Sequence, residues 1–235
     1  SAEPRPWMRR ELLALQTRCA LRRTDYAMAG QRFLKIVATD PETRHFEIAP
    51  LHWSDEPLDA EAREAARLWL EDSNDVARLM GASYLLLEPK LTSQCETALK
   101  QMLQQPHEPV RRLAQWQLFR LRISIDRSDV SNNEIKRWES LLHELPSSWR
   151  AGPYYVLGKG HWQRNEFDLA AAAFLRLPLA QPSEHPITGR ACLDAALALK
   201  RSGLLTESEQ LLREVTDRFR HTPSGLVAKR LLESQ

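Results

Sequence analysis

The chain has 235 residues, 43% hydrophobic and 27% charged, with 33 lysines and arginines against 31 aspartates and glutamates. That is apolar enough to bury a core, and a formal charge of +2 is too balanced for a dedicated nucleic-acid binder. No apolar run approaches the roughly 18 to 20 residues that span a bilayer, and three widely separated cysteines with no CxxC pair offer neither a zinc nor a thioredoxin-type motif.

Strand-type alternation is nearly absent and helical periodicity recurs instead. Trp7 to Arg22 carries Leu12, Leu13, Leu15 and Cys19 on helical spacing, and Thr24-Asp25 offers a polar start for a second helix through Ala38. Asp40-Pro41 stops that helix, because proline disfavours helical geometry in the residue before it. Thr43 to Pro57 holds Pro50, Trp53 and Pro57 without a helical pattern and reads as a loop across the surface, pinned by Phe46 and Trp53.

Asp59 to Leu70 is amphipathic. Ser73 or Asp75 is placed to cap a helix from Val76 to Leu87, and further helices are expected over Thr92–Gln104 and from Pro109 to about Ile125. Ser131 with Glu134 has the spacing of a capping box for a helix through Leu145. The clearest segment follows, Tyr154 to Pro182, with Leu157-Gly158, a small Ala170, a large Phe174 and a closing Pro182. Leu204–Phe219 and Ser224–Glu233 complete the expected helices.

One spacing recurs. Tyr26, Ala29, Phe33, Ile36 and Pro41 repeat the intervals of Phe167, Ala170, Phe174, Leu177 and Pro182. Leu205, Ser208, Leu212 and Val215 keep the first three, with Arg220 where proline would stand. Internal repetition of this kind marks a stacked helical array.

On these residues the chain resembles the tetratricopeptide repeat family, with Pro109-Val110-Arg111, Ala114 and Leu118 giving the middle a HEAT-like character. The segment Leu211 to Pro223, followed by Gly225, Ala228 and Leu231, is similar to repeats of bacterial envelope proteins. The resemblance implies an all-α fold, a right-handed α-solenoid of antiparallel hairpins. It divides as an N-terminal helical-repeat region, 1–147, containing the irregular 43–57, and tetratricopeptide-like repeats with a capping helix, 148–235, the two forming either separate domains or one continuous solenoid. It also implies a non-enzymatic scaffold that binds a protein or peptide in a concave groove. The groove positions carried over are Tyr155, Lys159, Trp162 and Gln163 in one repeat and Leu193, Leu197, Lys200 and Arg201 in the next. Asp194 stands where the family's carboxylate clamp has Asn, a departure from chaperone-tail binding.

Among sharper readings, Trp7, Trp69, Trp116 and Trp138 are expected in the core, as are all three cysteines. His45 and His52, with Glu47 and Asp55 nearby, lack metal-ligand spacing, and no GxSxG, Walker or GxGxxG motif occurs, so no catalytic site, cofactor or metal is expected. Arg5, Arg9, Arg10, Arg18, Arg22, Arg23, Arg32 and Lys35 make the first hairpin basic. A nucleic-acid surface continuing through Arg111, Arg112, Arg120 and Arg122 is the alternative function, and a helical accessory domain of a larger enzyme is a third. The opening Ser-Ala-Glu-Pro, without methionine, points to a trimmed product and leans the expected localisation toward export.

Overall fold

A computed structural model describes residues 5–41, 43–125, 130–180 and 186–234. Among them the fold is all-α, with no strand, and successive helices pack against their neighbours. No described helix is long and apolar enough to cross a membrane. The chain forms two compact units, residues 1–122 and 123–235.

The first unit contains α1 (Pro6–Arg22), α2 (Tyr26–Thr39), a 3-10 turn (Arg44–Ile48), α3 (Ala60–Leu70), α4 (Asp75–Leu85), α5 (Thr92–Met102) and most of α6 (Glu108–Ile125). The second contains α7 (Asn132–His143), α8 (Ala151–Gln163), α9 (Phe167–Ala180), α10 (Pro186–Arg201), α11 (Leu205–Arg218) and α12 (Pro223–Glu233). Pro182, the proline closing the best repeat, lies outside the described residues.

Several helix starts follow from short polar side chains that accept backbone N–H groups left over at the N-terminus. Asp25 accepts from the Met28 amide at 2.9 Å and Asp59 from Ala62 at 2.7 Å. The Ser131–Glu134 capping box forms in both directions, at 3.2 and 2.8 Å. At α4 the cap is Asn74, between the two candidates read from sequence, and it accepts from both Val76 and Ala77.

Three hairpin turns are built alike. Thr24, Asn165 and Gly203 all take positive φ, at 59°, 59° and 87°. Each stands two residues before the first member of the recurrent spacing, Tyr26, Phe167 or Leu205. In each turn the next residue's amide reaches back across the helix end, Asp25 to Ala20, Glu166 to His161 and Leu204 to Leu199, at 2.9 to 3.0 Å. This is the Schellman closure, which satisfies the last carbonyls of a helix through one left-handed residue. The repetition read from side chains is thus repeated in the backbone.

Small residues fix the close approaches. A Cβ on Gly158 of α8 would stand 2.5 Å from the Phe174 ring of α9, and one on Gly81 of α4 would stand 2.5 Å from the Leu70 amide nitrogen of α3. Ala170, Phe174 and Leu177 are wholly buried, as are Ala29, Phe33 and Ile36 in the first hairpin.

Three expectations are corrected. First, the segment after Pro50 does not lie on the surface: Leu51, His52, Trp53 and Ser54 are all buried. A loop can be buried only if its backbone groups find partners, and here they do. The Ser83 hydroxyl accepts from the His52 amide at 2.9 Å and donates to the His52 carbonyl at 3.1 Å. Arg120 donates through Nη1 to the carbonyls of His52 and Ser83, at 2.7 and 2.9 Å, and through Nη2 to that of Ser54 at 2.7 Å. Second, Arg120 is therefore 4% exposed and cannot belong to a basic surface stripe. Third, α1 is apolar on two faces. Leu13, Ala14, Thr17, Ala20 and Leu21 are buried, whereas Trp7, Met8, Leu12, Leu15 and Cys19 are exposed. Trp69, Trp116, Trp138, Cys95 and Cys192 are buried as expected.

Candidate functional site

The positions carried over from the repeat resemblance fall on α8 and α10. Tyr155, Lys159 and Trp162 recur at intervals of four and three, and Arg190, Asp194, Leu197 and Arg201 at four, three and four, so each set forms one stripe along its helix. The stripes meet. The Tyr155 hydroxyl donates to Asp194 Oδ2 at 2.8 Å, and Lys159 Nζ lies 3.4 Å from the same oxygen. Arg190 Nε donates to Asp194 Oδ1 at 3.0 Å.

Asp194 is 4% exposed, and a carboxylate that far from water needs such donors. Lys159 and Arg190 are only partly covered, with 28% and 23% of their side chains accessible. One buried negative charge thus holds two positive ones near the surface. Lys159 Nζ also sits 5.7 Å from the centre of the Tyr155 ring.

Farther along the same helices, Trp162 packs edge-to-face on Phe167 of α9, ring centres 5.4 Å apart, and the Arg201 guanidinium lies 5.1 Å from the Phe167 ring centre. Lys200 and Arg201 are exposed. The sequence reading missed Arg190 and Phe167 as members of this surface. The four-residue interval from Arg190 to Asp194 was the available signal.

The other positions play supporting parts. Tyr155 and Leu193, at 2% and 3% exposure, lie beneath the surface and cannot offer their side chains to a ligand. Gln163 donates to the Ile123 carbonyl. Leu197 is half-buried against the core formed by α10, α11 and α12.

A second feature of this unit is a groove of about 590 Å³ bounded by α7, α8 and α9, with Leu157, Leu169 and Ala173 in its lining and Lys136, Glu139 and Arg176 around it. The buried His161 adjoins it and donates through Nδ1 to Glu166 Oε2 at 2.8 Å. Hydrogen bonds from Arg164 and His161 lower the Glu166 carboxyl below its ordinary value, Arg164 having the larger effect.

In the first unit His45 and His52 go to separate partners, Glu11 and the Glu56 carbonyl. Among the described residues no group of three or more His, Cys, Asp or Glu side chains is placed to hold a metal ion. Comparison with protein-family models, with curated proteins and with solved structures finds no match.

Proposed function

We propose that the chain is a non-enzymatic interaction scaffold, a tetratricopeptide-like array of hairpins with a HEAT-like middle, and that the surface shared by α8 and α10 takes an acidic protein segment. The observation that carries the reading is the charge arrangement around Asp194. Lys159 and Arg190 are held partly exposed over a carboxylate that is itself covered. Lys200 and Arg201 extend the positive surface, and Trp162 and Phe167 supply aromatic area beside it. Peptide carboxylates would meet charge-assisted donors there, and the rings would act as anchors of the kind that dominate protein interfaces.

Affinity capture from native lysate tests the reading. Wild type is compared with a Lys159→Glu, Trp162→Ala, Arg201→Glu variant whose fold is checked by circular dichroism. A protein retained by wild type and lost by the folded variant supports it, and equal recovery by both removes it from this surface. The alternative of nucleic-acid binding loses a central residue, because Arg120 is engaged inside the first unit.

A further inference from the structure

The exposed face of α1 lies opposite the face it buries, and its apolar residues are ordered. Met8, Leu12, Leu15 and Cys19 follow at intervals of four, three and four. This is the narrow seam by which one helix pairs with another, rather than the broad stripe that covers a core. Met8, Leu12 and Leu15 are 47%, 54% and 55% exposed. Leaving such a row in water is unfavourable, and helices of this pattern bury it against a partner.

We infer that this seam pairs with the α1 helix of a second copy, antiparallel and about a two-fold axis. The pattern is self-complementary in that orientation. Leu12 meets Leu15 of the second copy, and Met8 meets Cys19, a large residue against a small one. Glu11 and Arg18, along one flank of the seam, select the same register, since it sets Glu11 beside Arg18 of the second copy and Arg18 beside the second copy's Glu11, while Arg9 on the other flank stands beside the uncharged Gln16.

Both groups are open to such a contact, with 43% and 41% of their side chains accessible. Each already has a companion on its own chain, Glu11 near His45 at 3.5 Å and Arg18 on Glu47 at 3.0 Å. Pairing therefore links Glu47, Arg18 and the second copy's Glu11 into an alternating row of charges, twice per dimer. Arg5 and Arg22 meet at the ends of the seam, where long side chains turn out to solvent. A two-fold contact of this kind closes on itself and does not propagate into fibres.

Sedimentation velocity over micromolar to submillimolar concentrations tests the pairing. The expected result is a concentration-dependent species of twice the 27.1 kDa chain mass, lost in a Leu12→Asp, Leu15→Asp variant. Both positions are exposed, so that variant retains its fold, as circular dichroism checks. Glu11→Arg alone should weaken the dimer, and Glu11→Arg with Arg18→Glu should restore it. The register has its own readout: with diamide as oxidant, Met8→Cys should cross-link to Cys19 of the second copy, while wild type should not cross-link, its two Cys19 residues lying toward opposite ends of the seam. A chain that stays monomeric throughout, whether or not the face then binds a lipid vesicle or another protein, overturns the proposal. So does a dimer unaffected by the Leu12→Asp, Leu15→Asp change, and a dimer that Met8→Cys fails to cross-link overturns the register.

Discussion

Tyr155 and Asp194, on α8 and α10, meet in a buried hydrogen bond of 2.8 Å, the hydroxyl donating to the carboxylate. Replacing Tyr155 by Phe removes one donor and leaves Lys159 and Arg190 in place, so a loss of about 1 kcal/mol is expected. Asp194→Ala withdraws the counter-charge from both cations and should cost about 3 kcal/mol. Urea denaturation of the two variants checks the ranking, and an Asp194→Ala protein as stable as wild type would remove the carboxylate from its structural part.

Gly158 and Phe174 test the packing of the best repeat. Gly158→Ala drives a methyl group to within 2.5 Å of the Phe174 ring. The ring or the helix must move, at a cost of about 1 to 3 kcal/mol. Phe174→Ala opens a cavity instead and should cost about 3 to 5 kcal/mol. Combined, the two changes should cost less than the sum of their separate effects, because the added methyl occupies space that the ring vacates.

Thr24 holds a left-handed conformation at φ 59°, which is unfavourable for a β-branched residue. Gly203 occupies the equivalent place in another turn. Thr24→Gly is expected to raise the thermal midpoint, with a gain of about 1 kcal/mol, whereas Gly203→Val should lower it.

The Arg120 fork reaches three backbone carbonyls. Arg120→Lys keeps the charge and loses the fork, so it should not rescue the protein. A cost of about 3 to 5 kcal/mol is expected for Arg120→Ala and most of that for Arg120→Lys. Protease resistance of the Leu51–Ser54 loop reports the same event locally. A lysine variant with wild-type stability would show that charge alone suffices.

The thiols should divide by burial. Cys19 is exposed, whereas burial pushes Cys95 up to about 12 and Cys192 up to about 11. A thiol reagent near neutral pH should titrate one group in the native protein and three after denaturation. The native state holds these two protons more tightly than the unfolded chain does. Their contribution is therefore complete below the ordinary thiol value of 9.0 and is lost as pH rises above it. Cys95→Ala, Cys192→Ala should flatten that alkaline decline.

Local chemistry made much of the fold legible. Asp25, Asp59 and Ser131 announced helix starts, and the Phe167–Ala170–Phe174–Leu177 spacing placed a hairpin whose turn matches two others bond for bond. What stayed hidden depends on partners far along the chain. Leu51 to Ser54 has no period because its burial follows from Ser83, from Gln117, whose Nε2 donates to the His52 carbonyl at 3.2 Å, and from Arg120, and an arginine on a helix ordinarily reads as solvated. On α1 the spacing read Leu12, Leu13, Leu15 and Cys19 as one apolar set, whereas the fold buries Leu13 and leaves the other three exposed. At the site, the resemblance to tetratricopeptide repeats supplied Lys159, Trp162 and Arg201 as groove positions, along with Tyr155, which is buried. That Tyr155 supports a carboxylate from beneath required knowing which residue of α10 it faces.

The bonds from Arg120 and Gln117 to His52 span 68 and 65 residues, against a single hairpin's length for most contacts between neighbouring helices. In a stack where each hairpin touches only the next, segments can melt or be trimmed one at a time. The first unit cannot come apart in that way. Releasing α6 exposes the carbonyls of three residues at once. Hydrogen exchange should accordingly find the amides of α4, α6 and the loop opening together, with a common protection factor.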